Sequence, residues 1–374
     1  MMVNKMSNSK LKILFLTNIP SPYRVHFFNE LGRMCELTVL YQKGTSSERN
    51  SKWIAKSENT YKSVFLKGNS TGVDNAFCPG VIKYLNRGYD AIIICGNASP
   101  TEVLAIEWCR LIKVPYYMEA DGAFVKEGNG FKEKLKMHLI SGGSLFFSTC
   151  SEHDKYYLHY GAKPENIRRY KFSSLLERDI IPSPVSEDEK KSLRAELGMH
   201  EEKIVLAVGQ FIHRKGFDVL LDAAVMFKEN IGVYIVGDKP TNEYTAKVKA
   251  HNLTNVHFEG FKSKEELKKY YMAANLFVLP TREDIWGLVV NEAMAYGLPV
   301  VTTDRCNAGL ELIKNGENGF IVKTENSEEL SKKICLALGD YAAMGEKALK
   351  DIRKYTIEEM AADHIRILQE SCNG

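Results

Sequence analysis

The sequence predicts an α/β chain made of two Rossmann-like parallel-sheet domains. Three observations lead there: short apolar runs alternate with helical stretches, the alternation stops at a charged segment broken by prolines, and it then begins again. Strands that alternate with helices form a parallel sheet covered on both faces. Such strands read as near-continuous apolar runs instead of alternating ones. At 374 residues the chain is long enough for more than one core of this kind.

In the first half, "LKILFLT" (11–17), "CELTVLYQ" (35–42), "YDAIIICG" (89–96), "VPYYMEA" (114–120) and "GSLFFSTC" (143–150) read as buried strands. "RVHFFNELGRM" and "SPTEVLAIEWCRLIK" between them have helical spacing, and Ser99 stands where a cap of the second is needed. Residues 181–191, "IPSPVSEDEKK", join two prolines to an acidic–basic run and read as a linker. The pattern restarts with "KIVLAVGQF" (203–211), a helix at 216–227, "IGVYIVGD" (231–238), "NVHFEGF" (255–261) and a helix at 263–273. It continues with "NLFVLP" (275–280), a helix after Gly287, "LPVVTTD" (298–304) and "NGFIVK" (318–323). The expected organisation is a disordered tail at 1–10, an N-terminal domain at 11–180, a linker at 181–195, a C-terminal domain at 196–355 and a final helix at 356–374. In open α/β sheets ligands bind beyond the carboxyl ends of the strands. Two such domains facing each other are expected to leave a cleft lined by both sets of loops.

Composition narrows the function classes. With 44% hydrophobic and 26% charged residues the chain is ordinary globular protein, and a net charge of +3 is too small to point to nucleic acid. Eight cysteines, at 35, 78, 95, 109, 150, 306, 335 and 372, are scattered without a Cys-x-x-Cys pair or metal-ligand spacing. That usage fits a reducing cytoplasm. "ILFL" near the start is too short for a signal-peptide core, and Pro20 follows it soon after. No apolar run approaches the roughly 20 residues of a membrane-spanning helix. The expectation is a cytoplasmic protein, soluble or attached only to the inner face of the membrane.

The stretch "PTREDIWGLVVNEAMAYGLPVV" (280–301) carries the most chemistry. A strand ends at Pro280, a loop with Glu283 and Asp284 follows, and a helix begins near Gly287 and stops at Tyr296-Gly297. The first-turn amides of Gly287, Leu288 and Val289 and the helix dipole suit a phosphate. Glu292 lies about one turn further in, and helical side chains lean toward the N-terminus, so its carboxylate reaches a ligand bound there. Carboxylates accept hydrogen bonds from sugar hydroxyls, and Asp284 stands on the phosphate's other side. The alternative is that these acids are solvated helix-start charges that favour the dipole. The second stretch, "VGQFIHRKGFDVLLDAA" (208–224), places Arg214 and Lys215 at a strand-to-helix loop, suited to clamp a diphosphate or simply solvated.

With those motifs in place, the run from "RKGFDVLLDAA" through "VGD", "FEGFKSKEELKKYYMAANLFVLPTREDIWGLVVNEAMAYGLPVV" and "ELIKNGENGFIV" resembles the C-terminal domain of glycosyltransferase family 4. Its members are retaining enzymes of the GT-B fold. The resemblance covers roughly residues 200–323, and "LFLTNIPSPYRVHFFNELG" resembles, more weakly, members that build bacterial surface polysaccharides. It implies that the family's paired acids, separated by seven residues, fall on Asp284 and Glu292, with Glu283 out of register by one. Many relatives have Glu where this chain has Asp284. Many have Arg directly after the glycine of "VG", where this chain has Gln210 after Gly209. The resemblance further implies that Glu292 holds the nucleotide ribose, that Arg214 and Lys215 meet the diphosphate, and that the backbone around Gly260 and Phe261 lines the base.

The acceptor side is read from the first half. "NIPSPYR" replaces the glycine-rich loop of many relatives, and Tyr23 and Arg24 either face the cleft or pack as a helix start. After the strand at 114–120, Asp121 precedes Gly122 and is chosen over Glu119 as the catalytic acid on this side, where some relatives place a His. His153 and His213 read as structural. The basic helix "GFKEKLKMHLI" (130–140), with Phe131, Leu135 and Leu139 on one side, is either a solvated face or one that rests on an anionic membrane. The final helix, "TIEEMAADHIRILQ", crosses back toward the N-terminal domain in the fold that the chain resembles.

The function expected is transfer of a sugar, with retention, from a UDP- or GDP-sugar to a saccharide or lipid-linked saccharide in polysaccharide biosynthesis. By the resemblance, the acceptor hydroxyl attacks the donor sugar's anomeric carbon on its front face and gives its proton to the leaving phosphate. No Asp-x-Asp occurs, so neither a metal nor another cofactor is expected, and the catalytic set is Asp121, Arg214, Lys215 and Asp284. A nucleotide-sugar epimerase on the same fold and a non-catalytic sugar-nucleotide-binding subunit are the alternatives.

Overall fold

A computed structural model of the chain describes residues 10–44, 59–126, 128, 130–228 and 230–373. Apart from Lys10, the tail expected at 1–10 lies outside the described residues. The chain divides into two compact units, one of residues 1–172 together with 357–374, the other Ser173–Thr356.

In the first unit the strands are β1 (Lys12–Thr17), β2 (Glu36–Tyr41), β3 (Lys62–Phe65), β4 (Asn69–Ser70), β5 (Ala76–Phe77), β6 (Ala91–Cys95), β7 (Tyr117–Glu119), β8 (Leu145–Ser148) and β9 (Ile167–Arg169). Seven of them form one sheet in the order β3-β2-β1-β6-β7-β8-β9. Every pair in it is parallel, with Thr17 opposite Tyr41 and Leu16 opposite Ile94. The helices α1 (Pro22–Met34), α2 (Pro100–Leu111), α3 (Phe131–Ser141) and α4 (Ser151–His159) connect them. Ile13, Leu14, Phe15 and Leu16 have no solvent exposure at all, because a central strand of a covered sheet is buried on both faces. The capping box of Ser99 and Glu102 starts α2, as the sequence predicts. The edge strands β3 ("KSVF") and β9 ("IRR") were not expected. They are too short and polar to read as strands, and pair only because a neighbour's edge presents free backbone groups.

One buried network fixes the C-terminal helix, Ile357–Asn373, to this first sheet. Arg24, on α1, reaches Glu119 with one guanidinium nitrogen and Asp121 with another, each at 2.5 Å. Glu119, at the end of β7, also accepts from the Tyr170 hydroxyl at 3.1 Å and faces His364 Nε2 at 3.2 Å. The other ring nitrogen of His364 faces the Met360 carbonyl at 2.7 Å, and its ring stacks on Phe147. Burial by itself raises the Glu119 carboxyl. Arg24, then His364, outweighs that and holds it down at about 2.

The second unit carries β10 (Lys203–Val208), β11 (Ile231–Val236), β12 (Val256–Glu259), β13 (Leu276–Leu279), β14 (Val300–Thr303) and β15 (Gly319–Val322), all parallel, in the order β12-β11-β10-β13-β14-β15. Its helices are α5 (Glu187–Leu197), α6 (Phe217–Ala224), α7 (Asn242–Ala250), α8 (Lys264–Ala273), α9 (Leu288–Ala295), α10 (Asn307–Leu312), α11 (Ser327–Gly339) and α12 (Tyr341–Ile352); the C-terminal helix is α13. The linker expected at 181–195 is corrected here: most of it is helix α5, and it belongs to the second unit, which begins at Ser173 instead of 196. The charge run that suggested a linker is a helix start. Ser186 accepts the Glu189 amide, and Glu187, Asp188 and Glu189 face the positive end of the dipole. Lys190 and Arg194 are buried because they bond the carbonyls of Ala274 and Ala273, at 2.6 and 2.9 Å.

Arg24→Met is expected to leave Glu119 buried without its main counter-charge and to cost about 3–5 kcal/mol in urea unfolding at neutral pH. The folded carboxyl of Glu119, at about 2, lies below its ordinary 4.5. Its stabilisation is therefore present above about pH 4.5 and lost as pH falls from there toward 2, and the variant should lack that acid-side loss.

Candidate functional site

In the second unit the strand order reverses between β10 and β13: β11 and β12 extend one side, β14 and β15 the other. The loops after β10 and β13 therefore leave the sheet side by side with no helix crossing between them, which is where open α/β sheets bind ligands. The loop after β10 runs from Gly209 to Gly216 and the loop after β13 from Pro280 to Gly287.

These two loops are tied together by backbone. The Arg214 carbonyl accepts the Arg282 amide at 2.8 Å and the Thr281 hydroxyl at 2.9 Å, and Arg214 Nη1 donates to the Glu283 carbonyl at 2.8 Å. Close approach demands glycine at Gly216, whose φ is +68° and where a Cβ would lie 2.0 Å from the Pro280 oxygen. It demands glycine again at Gly287, with φ of +102° and the Cys306 sulfur 2.8 Å from an added Cβ. Arg282 anchors the loop from outside through Asp218 and Glu325.

The sequence-predicted cations and one acid meet here. Lys215 Nζ lies 2.6 Å from Asp284 Oδ2, and Arg214 Nη1 lies 3.5 Å from Oδ1. The side chains of Lys215 and Asp284 are nearly buried, whereas Arg214 is half exposed. The Asp284 amide is held by the Arg305 carbonyl at 2.8 Å, and its own carbonyl takes the Asn307 amide at 3.2 Å, so the loop has a fixed register. Glu283 turns the other way and pairs with Arg305 at 3.2 Å. Gly287 ends the loop, and Leu288 opens α9 with its first-turn amides outside the helical ladder. Trp286 is buried under that turn and donates to Asn291 at 2.7 Å.

Glu292 is not brought onto the Lys215–Asp284 pair. Its Oε2 accepts from the Tyr271 hydroxyl of α8 at 3.0 Å. Burial raises its carboxyl above the ordinary range, the Tyr271 bond pulls it partly back, and Lys264 and Asp179 act in opposite directions. Gly209 is half-buried, with its amide on the Val236 carbonyl, while Gln210, Gly260 and Phe261 are exposed at the same carboxyl edge. Exposed apolar side chains are also there: Phe261 at 59%, Ile285 at 47% and Ile212 at 40%. Sequence reasoning missed Tyr271 and Arg305. Tyr271 reads as a core position of α8, and nothing in spacing links it to an acid 21 residues on.

In the first unit, Arg24 of α1 pairs with Glu119 and Asp121. The Asp121 carboxylate accepts from both Arg24 and the Tyr23 hydroxyl and stays partly exposed. Glu119, set aside in favour of Asp121, is fully buried. His153 is buried with its imidazole pushed down to about 3 by desolvation, and His213 is exposed in the loop before Arg214. Among the described residues no group of three or more His, Cys, Asp or Glu has a metal-holding arrangement.

Residues 189–359 match the sequence family described as glycosyl transferases group 1. The chain is 26% identical over 302 residues, 77% of its own length and 78% of the relative's, to an N,N'-diacetylbacillosaminyl-diphospho-undecaprenol alpha-1,3-N-acetylgalactosaminyltransferase of Campylobacter jejuni. It is 31% identical, over 59% of its length, to the mannosylfructose-phosphate synthase of Agrobacterium fabrum, of which it spans about half (51%). The structure of Anabaena Alr3699/HepE in complex with UDP has the same fold, with a TM-score of 0.74 at 18% identity, covering 97% of this chain and 99% of that one.

Gly216→Ala forces a side chain into both a left-handed backbone and the Pro280 carbonyl. It is expected to destabilise the second unit by about 1–3 kcal/mol, read by thermal unfolding. Gly260→Ala, at a position with open space around the added carbon, should leave the melting temperature unchanged.

Proposed function

We propose that this chain is a family-4-like, GT-B glycosyltransferase that moves a sugar, with retention, from a UDP- or GDP-sugar to a saccharide or lipid-linked saccharide during polysaccharide synthesis. One observation carries the donor assignment: Arg214 and Lys215 stand at the strand-order reversal, against Asp284 and beside the N-terminal turn of α9. Two cations and free amides meet a diphosphate. The carboxylate of Asp284 accepts from hydroxyls of the transferred sugar. Glu292 takes the ribose, and the exposed ring of Phe261 with the backbone at Gly260 offers a surface to the base. In the reaction the bond from the sugar's anomeric carbon to the phosphate oxygen breaks and a bond to the acceptor oxygen forms on the same face. The acceptor proton passes to the departing phosphate. Arg214, Lys215 and the α9 dipole stabilise the charge that develops there, a task that needs no bridging metal. Tyr23 and Asp121 serve the acceptor side, with Asp121 oriented by Arg24.

Support for an acceptor in lipid-linked form comes from the Campylobacter relative, whose name specifies a diphospho-undecaprenol substrate. Among the described residues no helix is long and apolar enough to cross a membrane. Helix α3 divides its apolar residues: Leu139 is buried and Leu135 half-buried, whereas Phe131 and Met137 are 79% and 49% exposed beside exposed Lys132 and Lys134. Such a face fits the inner, anionic surface of a membrane.

A panel of nucleotide sugars, with nucleotide release measured with and without saccharide acceptors, tests the activity. Release that depends on acceptor and survives saturating EDTA is expected. Sugar inversion without an acceptor would make it an epimerase, and binding without turnover a non-catalytic subunit. Arg214→Ala and Lys215→Ala should each weaken free nucleoside diphosphate by about 1.5–3 kcal/mol, the scale of a charge-assisted hydrogen bond. Asp284→Asn should cut turnover at least tenfold without weakening the free nucleotide, and Glu283→Gln should match wild type in both, since its surface pair with Arg305 contributes little.

For the membrane face, flotation with phosphatidylglycerol vesicles should carry the protein up, and with phosphatidylcholine vesicles should not. Phe131→Ser combined with Lys134→Glu should abolish flotation while leaving the melting temperature alone; equal flotation of the double variant would discard the proposal.

A further inference from the structure

Glu292 is held from one side only. The Tyr271 hydroxyl donates to Oε2 at 3.0 Å, and among the described residues no donor is bonded to Oε1. Tyr271 is itself immobile. It is 2% exposed, its ring stacks on Tyr296 with centroids 5.3 Å apart and planes 7° from parallel, and its other edge rests against Phe277 of β13. Helix α8, which carries it, is pinned at its start by the capping box of Ser263 and Glu266. A phenol fixed in this way dictates the carboxylate's plane. With one oxygen engaged by the phenol, the other is left to accept, and a carboxylate oxygen has lone pairs for two neighbouring hydroxyls.

We propose that Tyr271 is a positioning residue for nucleotide recognition: its hydroxyl fixes Glu292 so that Oε1 meets the vicinal hydroxyls of the ribose in a nucleoside diphosphate. The inference rests on the reading of Glu292 as the ribose contact and adds the group that makes that contact selective. The same bond keeps Glu292 an acceptor. Burial favours its neutral form, and the phenol opposes that, assisted by Lys264 and resisted by Asp179, which pairs with Lys264 at 2.9 Å; Tyr296 stands on the far side of the Tyr271 ring.

The test compares UDP with 2′-deoxy- and 3′-deoxy-UDP by titration calorimetry, or the guanosine series if GDP is the nucleotide that binds. Wild type should prefer the ribonucleotide about tenfold. Tyr271→Phe keeps the ring and its stack on Tyr296. It should weaken UDP about five- to tenfold while leaving the deoxy nucleotides nearly unchanged, so the preference disappears. The acid limb of UDP binding should also move to higher pH, because the hydrogen bond that held the Glu292 carboxyl down is gone. Glu292→Gln separates the two readings. If it weakens UDP and erases the preference while Tyr271→Phe does neither, the ribose contact stands and the positioning role falls. If Glu292→Gln leaves UDP binding and the preference intact, the ribose reading fails and the inference with it. Should Tyr271→Phe lower the melting temperature, the comparison is made below the variant's unfolding transition, where a retained preference for the ribonucleotide overturns the proposal.

Discussion

The constraint on which the second unit depends is the reversal of strand order between β10 and β13. A right-handed crossover from β10 runs to one side of the sheet, and the chain must return to the other side before β13 can pair with β10. The two loops at this point then leave the carboxyl edge side by side. The rest follows from making their contact work. Gly216 lets one backbone approach the other, the Arg214 carbonyl takes two donors from the facing loop, and Gly287 turns the chain into α9 over Cys306. Side chains that are far apart in sequence become neighbours because two strands are.

Charge is distributed around that contact in a way that resolves the acids of one loop into different jobs. Asp284 has its backbone bonded on both sides, and its carboxylate pairs with Lys215. Glu283, one residue earlier in an extended segment, points oppositely and neutralises Arg305. Cys306 lies beneath them as a small apolar filler, its thiol pushed up to about 12 by burial and then by the nearby Asp284. A cation pair that already rests on a carboxylate is pre-organised. For the proposed diphosphate ligand it would not have to be collected from solvent, which lowers the entropic cost of binding.

The first unit solves a different problem. Its last helix is supplied from the far end of the chain and must be recognised by groups at the sheet's carboxyl edge. A buried carboxylate with three partners does this: Glu119 accepts from Arg24 and Tyr170 and faces His364 of α13. Such a network is costly unless complete, which makes the docking specific. It also sets the neighbouring Asp121, since the same guanidinium serves both acids.

The sequence by itself determined the α/β alternation, the central strands of both sheets and the starts of α2 and α9. These are local properties: apolar runs, caps and glycines act within a few residues. The charged segment after Pro184 was misread as a linker because acids before bases also describe a helix start, and only the carbonyls of α8 waiting for Lys190 and Arg194 decide between them. Edge strands β3 and β9, the hydrogen bond from Tyr271 to Glu292, the salt bridge of Arg305 and the docking of His364 were decided by tertiary structure alone. Each joins residues whose separation along the chain carries no periodic signal, so their meeting is dictated by strand order and helix packing instead of by any pattern that a single segment contains.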